Sequence, residues 1–186
     1  FLAKDGVLIG AVVIADTLKD DAKSAIASLK AQKLHTVMLT GDSESAANAI
    51  AEETGIDEVY SKLLPDEKLL KLQEQRTKHG AVMFVGDGIN DAPVLAGADC
   101  GVAMGSGADA AIEAADVVFM TSSVEAIPQA IAIGKKASRI AWQNVVFALV
   151  VKALVMILGL LGFANMWMAV FADTGVAMLC VLNSIR

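Results

Sequence analysis

Residues 86–93, Gly-Asp-Gly-Ile-Asn-Asp-Ala-Pro, place the carboxylates of Asp87 and Asp91 four residues apart, directly after an apolar segment. Mg²⁺ prefers oxygen ligands in octahedral geometry and is usually held by one or two carboxylates, together with waters and a substrate phosphate. Asp87 and Asp91 could therefore share one Mg²⁺ ion that binds a phosphate. An acidic turn that caps a helix through Asn90 or Asp91 explains this motif, taken alone, about equally well.

Two other segments carry groups suited to a phosphate. Thr40, Gly41 and Asp42 combine a hydroxyl with backbone amides, and turns and helix N-termini present such free N–H groups to anions. Alternatively, Thr40 and Ser43 could simply cap the next helix. Lys68 lies just inside a predicted helix, where its ammonium group could neutralise a phosphoryl group, although a solvated surface lysine explains that position too.

The elements that must position these residues alternate between strand and helix. Short apolar runs alternate with segments of helical periodicity, which predicts a mostly parallel sheet wrapped by helices, with ligands bound beyond the carboxyl ends of the strands. Asp16, Thr40 and Asp87 each follow a predicted strand, so we expect them at one edge of the sheet. The apolar runs are residues 7–15, 37–39, 81–85 and 117–120, and the helical patterns are residues 19–33, 43–54 and 65–78.

Composition points to a membrane rather than to nucleic acid. The chain has 186 residues, of which 55% are hydrophobic, and a net charge of −6 without a basic stripe; this excludes nucleic acid as the expected partner. From residue 145 onward only Lys152, Asp173 and Arg186 carry charge. Cys100 and Cys180 are too few for a disulfide framework, which fits a reducing compartment.

Two apolar stretches near the C-terminus predict a transmembrane hairpin. Residues 145–163 form a stretch of about 19 residues, which at about 1.5 Å per residue approaches the roughly 30 Å hydrocarbon core, and residues 166–183 are similar. Two buried helices of a soluble domain are the alternative, which the lack of a polar face disfavours. Positive residues flank both outer ends, so both ends are expected in the cytoplasm. These residues are Lys135, Lys136, Arg139 and Arg186.

Lys152 and Asp173 lie inside these predicted spans. An ionisable group near the bilayer centre costs on the order of 2.5 to 3.5 kcal/mol, so both need a reason to be there. They could form an ion pair that locks the hairpin. Asp173 could also bind a transported cation, with Lys152 as its counter-charge, and both roles stay open.

Four motifs together resemble the phosphorylation domain of P-type ATPases, within the haloacid dehalogenase superfamily. They are Asp16-Thr17-Leu18-Lys19, Thr40-Gly41-Asp42, Leu-Pro-Asp-Glu-Lys at residues 64–68, and residues 86–93. The resemblance implies an α/β fold with a doubly wound, Rossmann-like parallel sheet, followed by the helical hairpin. It also implies an enzyme that uses Mg²⁺ and ATP. Asp87 would ligate Mg²⁺ with Asn90 and Asp91 in support, while Thr40 and Lys68 would contact the phosphoryl group.

The resemblance also shows what this sequence lacks. The family phosphorylates the aspartate of an Asp-Lys-Thr-Gly-Thr motif, and that motif is absent here, as are Thr-Gly-Glu and Cys-Pro-Cys motifs. We therefore expect this chain to be a C-terminal portion that needs the upstream part of the same pump, and the upstream part would make most of the contacts with ATP. Alone, this portion should not turn over ATP. The expected divisions are residues 1–15 (end of a nucleotide domain or hinge strand), 16–134 (phosphorylation domain) and 135–186 (hairpin).

The membrane residues narrow the resemblance. Val151-Lys152 and Ala172-Asp173-Thr174-Gly175 are similar to the last two membrane helices of zinc, cadmium and lead exporters, whereas copper exporters carry Tyr-Asn and Met-x-x-Ser-Ser there. This implies export of Zn²⁺, Cd²⁺ or Pb²⁺ across a bacterial plasma or inner membrane. A membrane-anchored phosphatase and a catalytically silent fragment are the alternatives. His35 and His79 show no paired ligand spacing, and we expect apolar packing for Cys180.

Overall fold

A computed structural model describes residues 2–10, 17–105, 109–163 and 165–185. Asp16 and Arg186, on which two of the expectations above rest, lie outside these residues. The chain divides into two compact units, Phe1–Pro128 and Gln129–Arg186.

Strands and helices alternate through the first unit, as the sequence predicts. Strands β3 and β4 pair in parallel, and β5, β6 and β7 form a second parallel ladder with β6 in the centre. The predicted α/β fold with a parallel sheet is confirmed. The elements are β1 (Leu2–Lys4), β2 (Val7–Gly10), α1 (Ala22–Ala31), β3 (Val37–Leu39), α2 (Glu44–Thr54), β4 (Glu58–Tyr60), α3 (Pro65–His79), β5 (Met83–Gly86), a 3₁₀ turn (Ile89–Asp91), α4 (Ala92–Gly97), β6 (Cys100–Met104), α5 (Asp109–Ala114) and β7 (Val117–Phe119).

The N-terminal strands depart from the prediction. Residues 7–15 were expected to open the parallel sheet, but Val7–Gly10 pairs antiparallel with Leu2–Lys4. Asp5 and Gly6 both have positive φ, 50° and 79°, which is the geometry of a tight hairpin turn. The Asp-Gly dipeptide is the local signal for this hairpin, and the strand prediction overlooked it. Residues 11–16 lie outside the described part of the chain.

Capping residues set the helix ends around the candidate site. The hydroxyl of Ser43 accepts the backbone N–H of Ala46 at the start of α2. Helix α3 begins at Pro65, as predicted, and the Glu67 carboxylate accepts the N–H of Leu64 at 2.8 Å. Both helices therefore start at the loops that follow a strand, where a site in a parallel fold is expected.

The core of the first unit is centred on α4. Val94 and Leu95 are fully buried, and this short helix packs against α3, α5 and the β5–β6 ladder. Val102 on β6 and Leu72 on α3 are each 1% exposed. Because α4 is held on several sides, the turn that precedes it, with Asp91 at its end, has a firm support.

Asp57 ties the start of β3 to α1 and β4. Its carboxylate accepts the backbone N–H of Thr36 at 2.9 Å and the Thr36 hydroxyl at 2.8 Å, and it contacts the Lys30 ammonium at 2.6 Å. The Lys30 hydrogen bond, followed by that of the Thr36 amide, holds the pKa of Asp57 well below its ordinary value. The ionised carboxylate therefore stabilises the β3–β4 pair.

The second unit contains helical segments only, within the residues that the structure describes. Helix α6 (Ala126–Leu160) has 35 residues, about 52 Å at the helical rise, so it exceeds a membrane span and begins earlier than the predicted hairpin. The second predicted span is interrupted: α7 (Met166–Val170) passes through a π-helical turn (Phe171–Gly175) into α8 (Val176–Ser184). Both stretches are long and apolar enough to cross a bilayer.

Asp57→Asn should loosen the β3 region in a pH-dependent way. At pH 7 we expect amide hydrogen exchange over residues 36–40 to accelerate about fivefold, for a loss of about 1 kcal/mol. Since the folded pKa of Asp57 lies below the unfolded one, this contribution is complete above about pH 4 and is lost as the pH falls further. The ratio of variant to wild-type rates should thus approach one in acid.

The matched control is Asp20→Asn, which changes an exposed aspartate in the same unit. Exchange is measured by mass spectrometry on the whole chain in detergent, and comparing both proteins at each pH cancels the intrinsic pH dependence of exchange. A ratio that does not fall between pH 7 and about pH 2 would contradict the electrostatic role of Asp57.

Candidate functional site

The loop after β5 holds a lysine–aspartate pair. The Lys68 ammonium on α3 lies 2.8 Å from Asp91 Oδ1, and the two side chains are only 15% and 14% exposed. The sequence placed these residues on a phosphoryl group and on Mg²⁺ respectively, without predicting their direct contact. In this structure the pair joins α3 to the turn before α4, and one carboxylate oxygen of Asp91 is engaged by Lys68.

Gly86 lets Asp91 approach the end of β5. A Cβ atom added at Gly86 would lie 2.9 Å from Asp91 Cβ, closer than real Cβ atoms approach, and 3.1 Å from Asp91 Oδ2, which is a tight contact. At Gly88 the nearest atom, Asp91 Oδ2, would be 3.6 Å away, an ordinary contact. Of the two glycines in the motif, Gly86 is therefore the one that the position of Asp91 requires.

Asp87 and Asn90 lie on the open side of the same loop. Both are exposed, and within the described residues the Asp87 carboxylate has neither a hydrogen-bond nor a salt-bridge partner. A free carboxylate and an amide oxygen are hard donors of the kind that Mg²⁺ prefers. Asp87 is thus available for a cation, whereas Asp91 is shared with Lys68.

The Thr40 loop is organised by its own side chains. The Thr40 hydroxyl donates to the Asp42 carboxylate at 2.8 Å and accepts the Asp42 backbone N–H at 3.1 Å. The backbone of Thr40 is bonded on both sides, to the Tyr60 carbonyl and the Leu63 amide. Ser43 rather than Thr40 caps α2. The capping alternative is therefore wrong for Thr40, and a phosphate would have to compete with Asp42 for its hydroxyl.

The Thr40 loop and the Asp87 loop each follow the carboxyl end of a strand, but no hydrogen bond joins them in the described ranges. Thr40 follows β3 and Asp87 follows β5, each at the carboxyl end of a parallel strand. No hydrogen bond links the Thr40–Asp42 segment to the Asp87–Asp91 segment in the described ranges. The structure brings Lys68 together with Asp91, and Thr40 together with Asp42, as two separate pairs.

In the second unit, Lys152 and Asp173 meet. The Lys152 ammonium on α6 lies 2.8 Å from Asp173 Oδ1 in the π-helical turn. Their side chains are 54% and 76% exposed, so this unit leaves the pair uncovered. Lys152 and Asp173 carry opposite charges and neutralise each other across the contact between the two helical stretches.

The π-helical turn around Asp173 was not predicted. It spans Phe171–Gly175, and a Cβ atom at Gly175 would lie 2.6 Å from the Phe171 ring. π-helical turns are rare in proteins, but those that occur often lie at functional sites. They change the direction of side chains relative to a regular helix. Gly175 was the sequence signal that could have indicated an irregular helix here.

Sequence reasoning also missed a polar network centred on Asn144. The Asn144 amide donates to the Cys180 carbonyl at 3.1 Å and to the Ser184 hydroxyl at 2.9 Å, and its oxygen accepts from Asn183 at 2.9 Å. The Cys180 thiol lies 3.7 Å from the Asn144 carbonyl. These bonds join α6 to α8, and they engage Cys180 in the contact between the helices.

The chain is similar to known metal-transporting ATPases over its whole length. It is 50% identical to the cadmium, zinc and cobalt-transporting ATPase of Bacillus subtilis (strain 168), with 100% of this chain and 27% of the relative covered. It is 49% identical to the zinc-transporting ATPase of Synechocystis sp. (strain ATCC 27184 / PCC 6803 / Kazusa), covering 100% and 26%. The chain thus spans about a quarter of the length of these relatives, and it matches their C-terminal portion.

Solved structures give the same result. The crystal structure of a zinc-transporting PIB-type ATPase in the E2.Pi state matches with a TM-score of 0.87 and 40% identity, covering 92% of this chain and 28% of the other. A family model described as haloacid dehalogenase-like hydrolase matches residues 2–99. Because that match covers more than half of the chain, and the fold agrees with it, this protein belongs to the haloacid dehalogenase-like hydrolase family.

Proposed function

We propose that this chain is the C-terminal part of an ATP-driven exporter of Zn²⁺, Cd²⁺ or Pb²⁺ that works through an aspartyl-phosphate cycle. The observation that carries the proposal is the 2.8 Å pair of Lys152 and Asp173 between two apolar helices. A pair of charged side chains in a predicted membrane segment needs a function, and an aspartate in a π-helical turn offers a divalent cation a ligand. Cobalt, which some relatives carry in their names, belongs to the same chemical class.

The side chains of the loop at residues 86–93 suit a Mg²⁺ ion. Asp87 would hold the ion with its free carboxylate, Asn90 would support it, and Asp91 would offer the oxygen that Lys68 does not engage. When bound, Mg²⁺ would neutralise charge on a phosphoryl group. Lys68 positions Asp91 and supplies a positive charge beside that phosphoryl group, while Thr40, Gly41 and Asp42 contact its oxygens.

Lys152 gives the transport site a way to release its cargo. A divalent cation on Asp173 repels the Lys152 ammonium, and after the cation leaves, Lys152 neutralises the vacated carboxylate. Since a carboxylate is a hard ligand, additional thiolates from the upstream part of the pump would adapt the site to Zn²⁺ or Cd²⁺.

The membrane arrangement follows from the same residues. The hairpin would place both of its ends in the cytoplasm of a bacterial cell, because Lys135, Lys136 and Arg139 precede its first span. The upstream portion of the pump would cover the exposed Lys152–Asp173 pair and provide the phosphorylated aspartate. Residues 16–134 would form the phosphorylation domain and residues 135–186 the hairpin.

Gly86→Ala should weaken Mg²⁺ binding, whereas Gly88→Ala should not. The new methyl group at residue 86 displaces Asp91, at a cost of about 1 to 3 kcal/mol, so we expect the Mg²⁺ dissociation constant to rise about tenfold. At residue 88 the methyl group has room, and the constant should stay within about twofold. Mg²⁺ is titrated into the whole chain, and binding is followed by the amide chemical shifts of residues 87–91.

Asp87→Asn serves as the reference for lost binding in this titration. If Gly86→Ala and Gly88→Ala bind Mg²⁺ equally well while Asp87→Asn does not, Asp91 plays no part in the ion site and its role is limited to the pair with Lys68.

Asp173→Ala in the full-length pump should abolish ATP-driven Zn²⁺ uptake into inverted membrane vesicles. The matched control is Cys180→Ala, which removes a potential sulfur ligand in the same helical stretch and should leave uptake within about twofold, because Cys180 contacts Asn144 instead. Both variants must appear in the membrane in wild-type amounts. Zn²⁺ uptake that persists in the Asp173→Ala variant would contradict the assignment of Asp173 to the transport site.

A further inference from the structure

Two histidines from distant parts of the first unit stack on each other beside a carboxylate. The rings of His35 and His79 are 4.4 Å apart between centroids, at an angle of 24°. His35 Nε2 lies 3.3 Å from Glu58 Oε1. One ligand atom from each of His35, Glu58 and His79, called here the histidine cluster, falls within 4.8 Å of the others.

The histidine cluster is assembled by the fold, which is why the sequence pattern missed it. His35 lies in the loop that leads into β3, Glu58 is the first residue of β4, and His79 is the last residue of α3. More than 20 residues separate each member from the next along the chain. All three lie at the amino-terminal side of β3 and β4, whereas Thr40 follows the carboxyl end of β3.

The donor set suits a borderline metal ion rather than Mg²⁺. Two imidazoles and one carboxylate are a common ligand set for Zn²⁺, with Zn–N distances of about 2.0 to 2.1 Å, whereas Mg²⁺ prefers oxygen alone. Tetrahedral binding would bring the ligand atoms to about 3.4 Å from one another. Both histidines are exposed, so their side chains are free to make the remaining movement.

The surroundings of the cluster resemble those of a metal site. Asp57 Oδ2 lies 3.6 Å from His35 Nδ1, on the ring nitrogen opposite to the one that faces Glu58. A carboxylate behind a ligating imidazole orients the ring in many metal sites. Tyr60 and Gln75 donate to Glu58 Oε2 at 2.9 and 3.0 Å, which leaves Oε1 toward the histidines.

One cation already competes for that oxygen. The Lys78 ammonium lies 2.9 Å from Glu58 Oε1, and its side chain is 52% exposed. The Glu58 side chain is 25% exposed, so solvent screens this pair in part and a divalent ion could displace Lys78 from Glu58 Oε1. Removing the ammonium group should therefore strengthen metal binding, a response that a purely structural histidine stack would not show.

We propose that the histidine cluster is a third metal site, which binds Zn²⁺ or Cd²⁺ through His35, Glu58 and His79 with water as the remaining ligand. The ion would link β3, β4 and the end of α3. This site is separate from Asp173 and from the Mg²⁺ loop, and it does not depend on the pump assignment.

The chain offers a direct test because His35 and His79 are its only histidines. With ¹³C-labelled histidine, the whole chain in detergent micelles gives two imidazole Cε1–H signals, and Asp173→Ala removes the membrane ligand from the background. Titration with ZnCl₂ should move both signals with one dissociation constant. MgCl₂ at the same concentrations should leave both signals in place.

Two variants test the carboxylate and its competitor. Glu58→Gln should raise the Zn²⁺ dissociation constant by at least about tenfold, and Lys78→Met should lower it severalfold. If Glu58→Gln disturbs the amide spectrum, the Lys78→Met arm decides alone. Signals that move with different constants, or a Lys78→Met constant equal to the parent, would overturn the site and leave a stacked pair without a metal function.

Discussion

The contact between Lys68 and Asp91 is the interaction on which the arrangement of the loop between β5 and α4 depends. It is nearly buried, at 15% and 14% exposure, and it connects α3 to the turn that precedes α4. Removal of either partner would leave an uncompensated charge in a site that is mostly closed to water, which is far more costly than the loss of a surface pair. Gly86 permits the same contact, because a Cβ atom at this position would collide with Asp91.

Much of this fold can be predicted from the sequence because its signals are local. The apolar runs predict β3, β5 and β7, and Pro65 predicts the start of α3. The failures have local causes as well: the Asp5-Gly6 turn converts the first apolar run into a hairpin, and a π-helical turn interrupts the second apolar span. Periodicity describes regular elements, so it overlooks both.

The candidate sites were harder to predict because they are made of contacts between distant residues. The motifs predict functional roles for Asp87 and Lys68, but they do not show that Lys68 binds Asp91, which is 23 residues away. The pair of Lys152 and Asp173 could be predicted because a single charge stands out in an apolar stretch. His35 and His79 lie in segments that contain other polar residues, so only the fold shows that they are in contact.

The same device appears at three places in the chain: a lysine neutralises a carboxylate that could otherwise bind a cation. The distances are nearly equal, 2.8 Å for Lys68–Asp91, 2.8 Å for Lys152–Asp173 and 2.9 Å for Lys78–Glu58. Their surroundings differ, and this decides what each pair can do. The Lys68 pair is enclosed within its own unit and holds Asp91 in place, whereas the Lys78 side chain is 52% exposed. In our proposal the upstream portion of the pump covers the Lys152–Asp173 pair, so its exposure in this chain does not describe the pair in the pump. We therefore expect a divalent ion to displace Lys78 from Glu58 more readily than Lys68 from Asp91.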